Sequence, residues 1–258
     1  MRINKLKQTL ESGGVALGAA LGFNSPDTVE LLGTLGVDYV VFDIEHEVFN
    51  ELSLLHSLRT AEAAGVTTIC RLPNDPDLIL RVLDAGAQCI HVGRVNTADD
   101  VQDIVAAARF YPVGDRSFFA EARSGDYGIG VTEEEFAEFS NHETLITVEI
   151  EEKEAAENIG ELLALPGIDI MQVGLKHLWH SMGMPDRSES QIIADQAIHS
   201  AREAGKWVSS YIWLNDTFEQ QVDRLTRLGV QMLTASARDF IIEGTRGFLS
   251  LKNTLNSK

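Results

Sequence analysis

The stretch VDYVVFDIEHE, Val37 to Glu47, starts as an apolar, β-branched run and ends in Asp43, Glu45, His46 and Glu47. An imidazole among carboxylates can carry a proton near neutral pH, with Asp43 and Glu45 placed to orient it. A second group lies in LITVEIE, Leu145 to Glu151. Strand alternation sends Ile146, Val148 and Ile150 to one face and Thr147, Glu149 and Glu151 to the other. Carboxylates sharing a face repel one another and lose hydration, so they need a cation. Two answers are open: a divalent metal with His177 as third ligand, or an arginine that takes Glu149 and leaves Glu151 for chemistry. Arg71, after the apolar TTIC, carries a planar, permanently charged fork suited to a carboxylate or enolate oxygen, or to a salt bridge with Asp43 or Glu45. Lys176 is either a Schiff-base nucleophile or a solvated amine. His180 has ligand-pair spacing from His177 but is not taken as a ligand. His56, His91, His142 and His199 have no comparable context.

These groups need elements to position them. A helical segment, a glycine and an apolar strand recur in that order, with Gly36, Gly65, Gly86, Gly167, Gly205 and Gly229 as the glycines. Glycine just past a helix end takes the left-handed cap that other residues resist. Ser25-Pro26 and Asp75-Pro76 place a capping side chain before a first-turn proline, and Thr97 with Asp100 resembles a capping box. Adding VALGAALGF and LITVEIE predicts eight strands alternating with helices, an α/β fold of the closed parallel (β/α)8 TIM-barrel type spanning 1–258 as one domain. The rival, an open doubly wound sheet, lacks a GxGxxG after its first strand.

In such a barrel the site lies at the C-terminal strand ends. Those ends carry Asp43, Glu45 and His46 after strand two, Arg71 after three, Arg94 after four, Glu149 and Glu151 on five, and Lys176 and His177 after six. Strands seven and eight end in the neutral Ser209, Ser210, Tyr211 and Ser236. The rhythm breaks at a long loop after helix four, Tyr111 to Glu143, with Arg116, Phe118, Phe119, Arg123 and Tyr127 and an acidic helix near Thr132–Phe139. It is read as a βα-side excursion serving as lid, binding loop or interface.

Composition narrows the partners. With 21 basic against 39 acidic residues the net charge is −18, which repels nucleic acid and anionic membrane. No apolar run approaches the roughly 20 residues of a membrane span. The N-terminus lacks the apolar segment of a signal peptide, so a cytoplasmic protein is expected. The two cysteines, Cys70 and Cys89, form no CxxC pair and are read as buried thiols. No Gly-rich phosphate cradle follows strands seven or eight, which disfavours a phosphorylated substrate.

Several stretches, in order along nearly the whole chain, resemble the class II pyruvate aldolases of the HpcH/HpaI group, which includes hydroxy-oxo-heptanedioate aldolase. They are FDIEHE, ICRLPND, LDAGAQ followed by VNTADD, YPVGDR, and IEEKEAAENI with LPGID. The resemblance implies a barrel that forms a homo-oligomer, a hexamer or trimer, exchanging its last helix. It also implies a divalent metal (Mg, Mn, Co or Zn) and a small 2-oxo acid whose pyruvate enolate meets an aldehyde. It assigns His46 as catalytic histidine, Asp43 as the acid beside it, Arg71 as holder of the pyruvate oxygen and Glu151 as metal ligand. Asp84 matches an acid that approaches a neighbouring subunit's site. Substrate contacts are expected from Arg71, Glu149, Leu175 and Lys176.

The chain also departs from the family pattern. His177 stands where the family has an aspartate ligand, Glu149 where it has glutamine, and Gly93-Arg94 where it has a proline. Exchanging Gln plus Asp for Glu plus His conserves ligand charge, so a rebuilt metal set of Glu149, Glu151 and His177 is expected, suited to Mn, Fe, Co or Zn more than Mg. A Schiff-base lyase using Lys176, and a barrel that binds a small acid without turnover, are the alternatives.

Overall fold

The computed structural model describes residues 1–215 and 217–256. Eight parallel strands close in sequence order, with β8 pairing to β1. They are β1 Ala16–Leu21, β2 Tyr39–Asp43, β3 Thr67–Leu72, β4 Cys89–Val92, β5 Leu145–Ile150, β6 Ile170–Val173, β7 Trp207–Tyr211 and β8 Met232–Ser236. The helices are α1 Lys5–Glu11, α2 Pro26–Thr34, α3 Glu51–Ala63, α4 Pro76–Asp84, α5 Ala98–Ala108, α6 Glu133–Glu143, α7 Lys153–Glu157, α8 Ile159–Ala164, α9 Leu175–Ser181, α10 Arg187–Glu203, α11 Phe218–Arg227 and α12 Ala237–Asn256. The expected (β/α)8 barrel is present.

Its local causes are those read from the sequence. Ser25, Asp75 and Thr97 each cap a helix with their side chains, and Pro26 and Pro76 occupy the first turn. The six glycines of the repeat all hold positive φ, from 72° to 103°, a region closed to β-branched side chains. Each therefore ends its helix and releases the chain into the next strand.

Alternation along the strands builds two layers of core. Outward residues such as Val40, Phe42, Ile90, Ile146, Val148 and Ile150 pack under the helices. Inward residues at the strand starts, including Tyr39, Ile69, Cys89, Leu145, Ile170 and Met232, fill the barrel floor, which Leu6 and Leu10 of α1 plug from below. Gly18 is required here, because a Cβ at that position would lie 2.1 Å from the Tyr39 ring. Two residues further along each strand the interior turns polar: Ile69 gives way to Arg71, Cys89 to His91, Leu145 to Thr147 and Glu149, and Ile170 to Gln172, all buried. The greasy floor excludes water and the polar layer above it forms the base of the mouth. Cys70 and Cys89 are buried free thiols, as expected.

The long excursion corrects the sequence reading in one respect. It follows α5, the barrel's fourth helix, and precedes β5, so it lies at the N-terminal ends of the strands, opposite the mouth. Phe110, Phe118 and Phe136 cluster there with centroids 5.2–5.9 Å apart. Arg123 donates to the Ala85 carbonyl at 2.9 Å and pairs with Glu62, and Arg116 donates to Asp84 at 2.6 Å. The repeat's glycine caps mark the other helix-to-strand turns, but no such cap precedes β5, and only counting the preceding helix places this loop on the αβ side. The acidic helix is α6, capped by Thr132. Among the described residues no helix is long and apolar enough to cross a membrane.

Candidate active site

A cavity of about 720 Å³ opens at the C-terminal strand ends. Its base is the guanidinium of Arg71, 5% exposed and ringed by four carboxylates. Nε and Nη2 donate to Oε2 of Glu149 at 3.0 and 2.9 Å, and Nη2 lies 3.5 Å from Oε2 of Glu151. On the other side Nη1 lies 2.9 Å from Oε2 of Glu45 and 3.6 Å from Oδ1 of Asp43. The Glu45 contact is an ion pair without hydrogen-bond alignment, since that buried oxygen has no directed donor. Burial opposes the Arg71 charge, but Glu149 first and then the other acids outweigh it and push its pKa up. The cation is therefore permanent.

Glu149 and Glu151 point inward, as alternation on β5 requires. His91, adjacent to Arg71 across the β3–β4 register, places Nε2 3.0 Å from Oε2 of Glu149. Burial pushes the Glu149 carboxyl up, but His91 and Arg71 more than offset this and hold it below the usual carboxylate range. Glu151 goes the other way: burial and the charge of Glu149 raise it, against Arg71 and His177. Its Oε1 accepts the backbone N–H of Arg94 at 3.0 Å, and Oε2 lies 3.0 Å from Nδ1 of His177. That N–H is aimed by Arg94 itself, held at φ 56°. Two glycines make room, because a Cβ on Gly93 would lie 2.8 Å from Oε1 of Glu151 and one on Gly174 would lie 2.6 Å from its Cβ.

The expected three-residue metal set is not assembled. Among the described residues no group of three His, Cys, Asp or Glu side chains is disposed to hold a metal ion. Glu149 is the reason, since its inner oxygen is committed to Arg71 and His91. Of the two answers left open by the sequence, the arginine takes Glu149. Glu151 and His177 remain available, and their 3.0 Å separation is roughly that of adjacent ligands on one ion with bonds of about 2.1 Å. The pair fits a cation that draws its other ligands from substrate and water.

Around this centre, Asp43 accepts the backbone N–H of His46 at 3.0 Å, so it orients the turn and not the ring. The His46 ring is 54% exposed at the rim, with Nε2 3.9 Å from Glu45. Leu175 and Lys176 line the cavity, and the Lys176 ammonium lies over the Trp213 ring at 4.6 Å. Asp84 is not brought to this cavity within the chain: it ends α4 at the opposite end of the barrel, held by Arg116. Sequence reasoning assigned no role to His91, although its alternation with Cys89 on β4 already placed it inward. Tyr211 was noted only as neutral. Its phenol lines the cavity, and burial, with help from Glu149, raises its pKa and keeps it a proton-bearing donor.

The HpcH/HpaI aldolase/citrate lyase family matches residues 20–237. The 2-keto-3-deoxy-L-rhamnonate aldolase of Escherichia coli strain UMN026 is 33% identical over 208 residues, 79% of this chain and 77% of that protein. Among solved structures, an HpcH/HpaI aldolase from Desulfitobacterium hafniense DCB-2 superposes with a TM-score of 0.86 at 24% identity, covering 96% of each chain. The citrate synthase SbnG gives 0.85 at 25% identity, covering 98% of this chain and 99% of that one. The chain belongs to the HpcH/HpaI aldolase/citrate lyase family, and it is a carbon–carbon lyase of the aldolase class.

Proposed function

We propose that the enzyme cleaves or forms a 4-hydroxy-2-oxo acid, with pyruvate as the nucleophilic half and an aldehyde as the other. The observation that carries this is the Arg71 guanidinium at the cavity base beside the Glu151–His177 pair. A divalent cation held by Glu151 and His177 would supply Lewis acidity toward the 2-oxo acid. The carboxylate–imidazole pair favours Mn, Co or Zn over Mg.

The chain's own groups do the rest. Arg71 presents a fixed positive charge where enolate charge develops, and it costs no reorganisation because its acids already hold it. His46, at the wet rim, moves the proton of the aldol hydroxyl through water. Tyr211 offers a neutral donor from the opposite wall. We assign the enzyme to the cytoplasm and to a homo-oligomer, a hexamer or trimer, in which Asp84 faces a neighbour. Support for the assembly comes from α12, which exposes Phe240, Ile241, Ile242, Phe248, Leu249, Leu251 and Leu255. Apolar area of that extent on one helix is an interface signature.

The test is metal analysis of purified protein followed by pyruvate-release assays on a panel of 4-hydroxy-2-oxo acids with each divalent metal. Release that depends on added metal and is abolished by Glu151→Gln is the expected result. No release from any member of the panel overturns the reading.

A further inference from the structure

We propose that His91 is a positioning residue: it anchors Glu149, and Glu149 in turn fixes the guanidinium of Arg71. Where the reaction is concerned, this rests on the aldolase reading above.

His91 is 3% exposed, inside the barrel, one layer above the apolar floor. A buried imidazole needs a partner, because an unpaired polar group at such depth is costly. Its partner is Oε2 of Glu149, 3.0 Å from Nε2. An ionised carboxylate only accepts, so Nε2 carries the hydrogen and donates. The same oxygen takes Nε and Nη2 of Arg71 at 3.0 and 2.9 Å. Three N–H groups thus converge on one buried oxygen.

This convergence matters because Arg71 is contested. Asp43 and Glu45 draw it toward β2, while Glu149 and Glu151 draw it toward β5. A guanidinium among four acids has competing poses of similar energy, and the pose is selected by whichever acid cannot move. Glu149 is that acid. His91 holds its inner oxygen, and Gly174 closes against its outer one, where a Cβ would lie 2.7 Å from Oε1. Asp43 and Glu45, by contrast, sit on the half-buried β2 tip. The arrangement also explains why Glu149 is absent from the metal pair.

The experiment compares wild type with His91→Leu, His91→Gln, Glu149→Gln and the double variant His91→Leu/Glu149→Gln. It measures kcat, KM, melting temperature and Mn²⁺ affinity. Misplacing a catalytic group by about 1 Å costs on the order of 10²-fold. His91→Leu is therefore expected to lower kcat roughly ten- to a hundredfold, with Mn²⁺ affinity within about twofold of wild type. His91→Gln, whose amide can donate to the same oxygen, regains most of the loss. In the Glu149→Gln background His91→Leu adds little, because the two act as one unit. A merely structural histidine would lower melting temperature in both backgrounds and leave kcat unchanged. That result overturns the proposal, as does a His91→Leu loss that multiplies with that of Glu149→Gln. Should His91→Leu not fold, His91→Gln and His91→Asn carry the comparison. Should no substrate turn over on the wild type, the aldolase reading falls and the crystal structure of His91→Gln or His91→Leu decides the positioning claim alone. An Arg71 guanidinium unmoved in His91→Leu overturns it.

Discussion

Arg71 donates Nε and Nη2 to one oxygen of Glu149, at 3.0 and 2.9 Å, while its Nη1 lies 2.9 Å from Glu45. The guanidinium thus bridges β2 and β5 across the mouth. Lysine has one nitrogen and no fork, so Arg71→Lys keeps the charge and loses the bridge. We expect kcat/KM to fall by about 10²–10³, the size of a lost oxyanion-type donor. Arg71→Gln, which leaves the acids uncompensated, should lose on the order of 3–5 kcal/mol of stability in urea titrations. A loss below about 1 kcal/mol would show that the acids do not depend on this cation.

Glu149 gives a pH dependence. Its folded pKa lies below the ordinary value because His91 and Arg71 outweigh burial. A depressed carboxylate contributes stability that is full above the unfolded pKa and fades as pH falls toward the folded one. Wild type should therefore exceed Glu149→Gln in stability at neutral pH. The gap should narrow from about pH 4.3 downward. Denaturant midpoints at several pH values would measure it, and a gap that widened in acid would contradict the assignment.

Glu151 has the opposite sign. Burial and the Glu149 charge raise its pKa, so its ionised form costs stability at neutral pH, a cost absent once both states are protonated. Metal-free Glu151→Gln should therefore melt above metal-free wild type at pH 7. The advantage should vanish near pH 4. The same variant should be inactive, a trade of function against stability.

Lys176 tests the Schiff-base alternative. Its ammonium lies over the Trp213 ring at 4.6 Å, a cation–π contact that gives the amine a partner other than a substrate carbonyl. Borohydride with pyruvate should trap no adduct, and Lys176→Met should keep kcat within about tenfold of wild type. A trapped adduct of one pyruvate per chain would reverse this conclusion.

The α12 face predicts assembly. Phe248 and Leu251 are 72% and 53% exposed. Placing aspartate at both should reduce the mass seen by sedimentation while the circular dichroism of the barrel stays intact. An unchanged mass would move the interface elsewhere.

Much of the architecture was legible along the chain because its causes are local. Glycine caps, first-turn prolines and period-two alternation each act within a few residues, and the six glycine-led strands and the two added without a glycine all lie where expected. The mouth residues Asp43, Arg71, Glu149, Glu151 and His177 followed from the rule that barrel sites sit at strand ends. The long excursion was misplaced because composition does not distinguish the two ends of a barrel. His91 was passed over because a lone histidine between Ile90 and Val92 has no sequence neighbour to reveal a partner.

The sequence alone determined the barrel, its inward-facing carboxylates and its family. It could not decide which cation answers which carboxylate. That depends on the parallel register of β3 with β4 and β5, which brings Arg71 and His91 side by side beneath Glu149. The residues involved are separated by up to 78 positions. No local pattern encodes such a meeting, and only barrel closure gives Glu149 to Arg71 while leaving Glu151 to face His177.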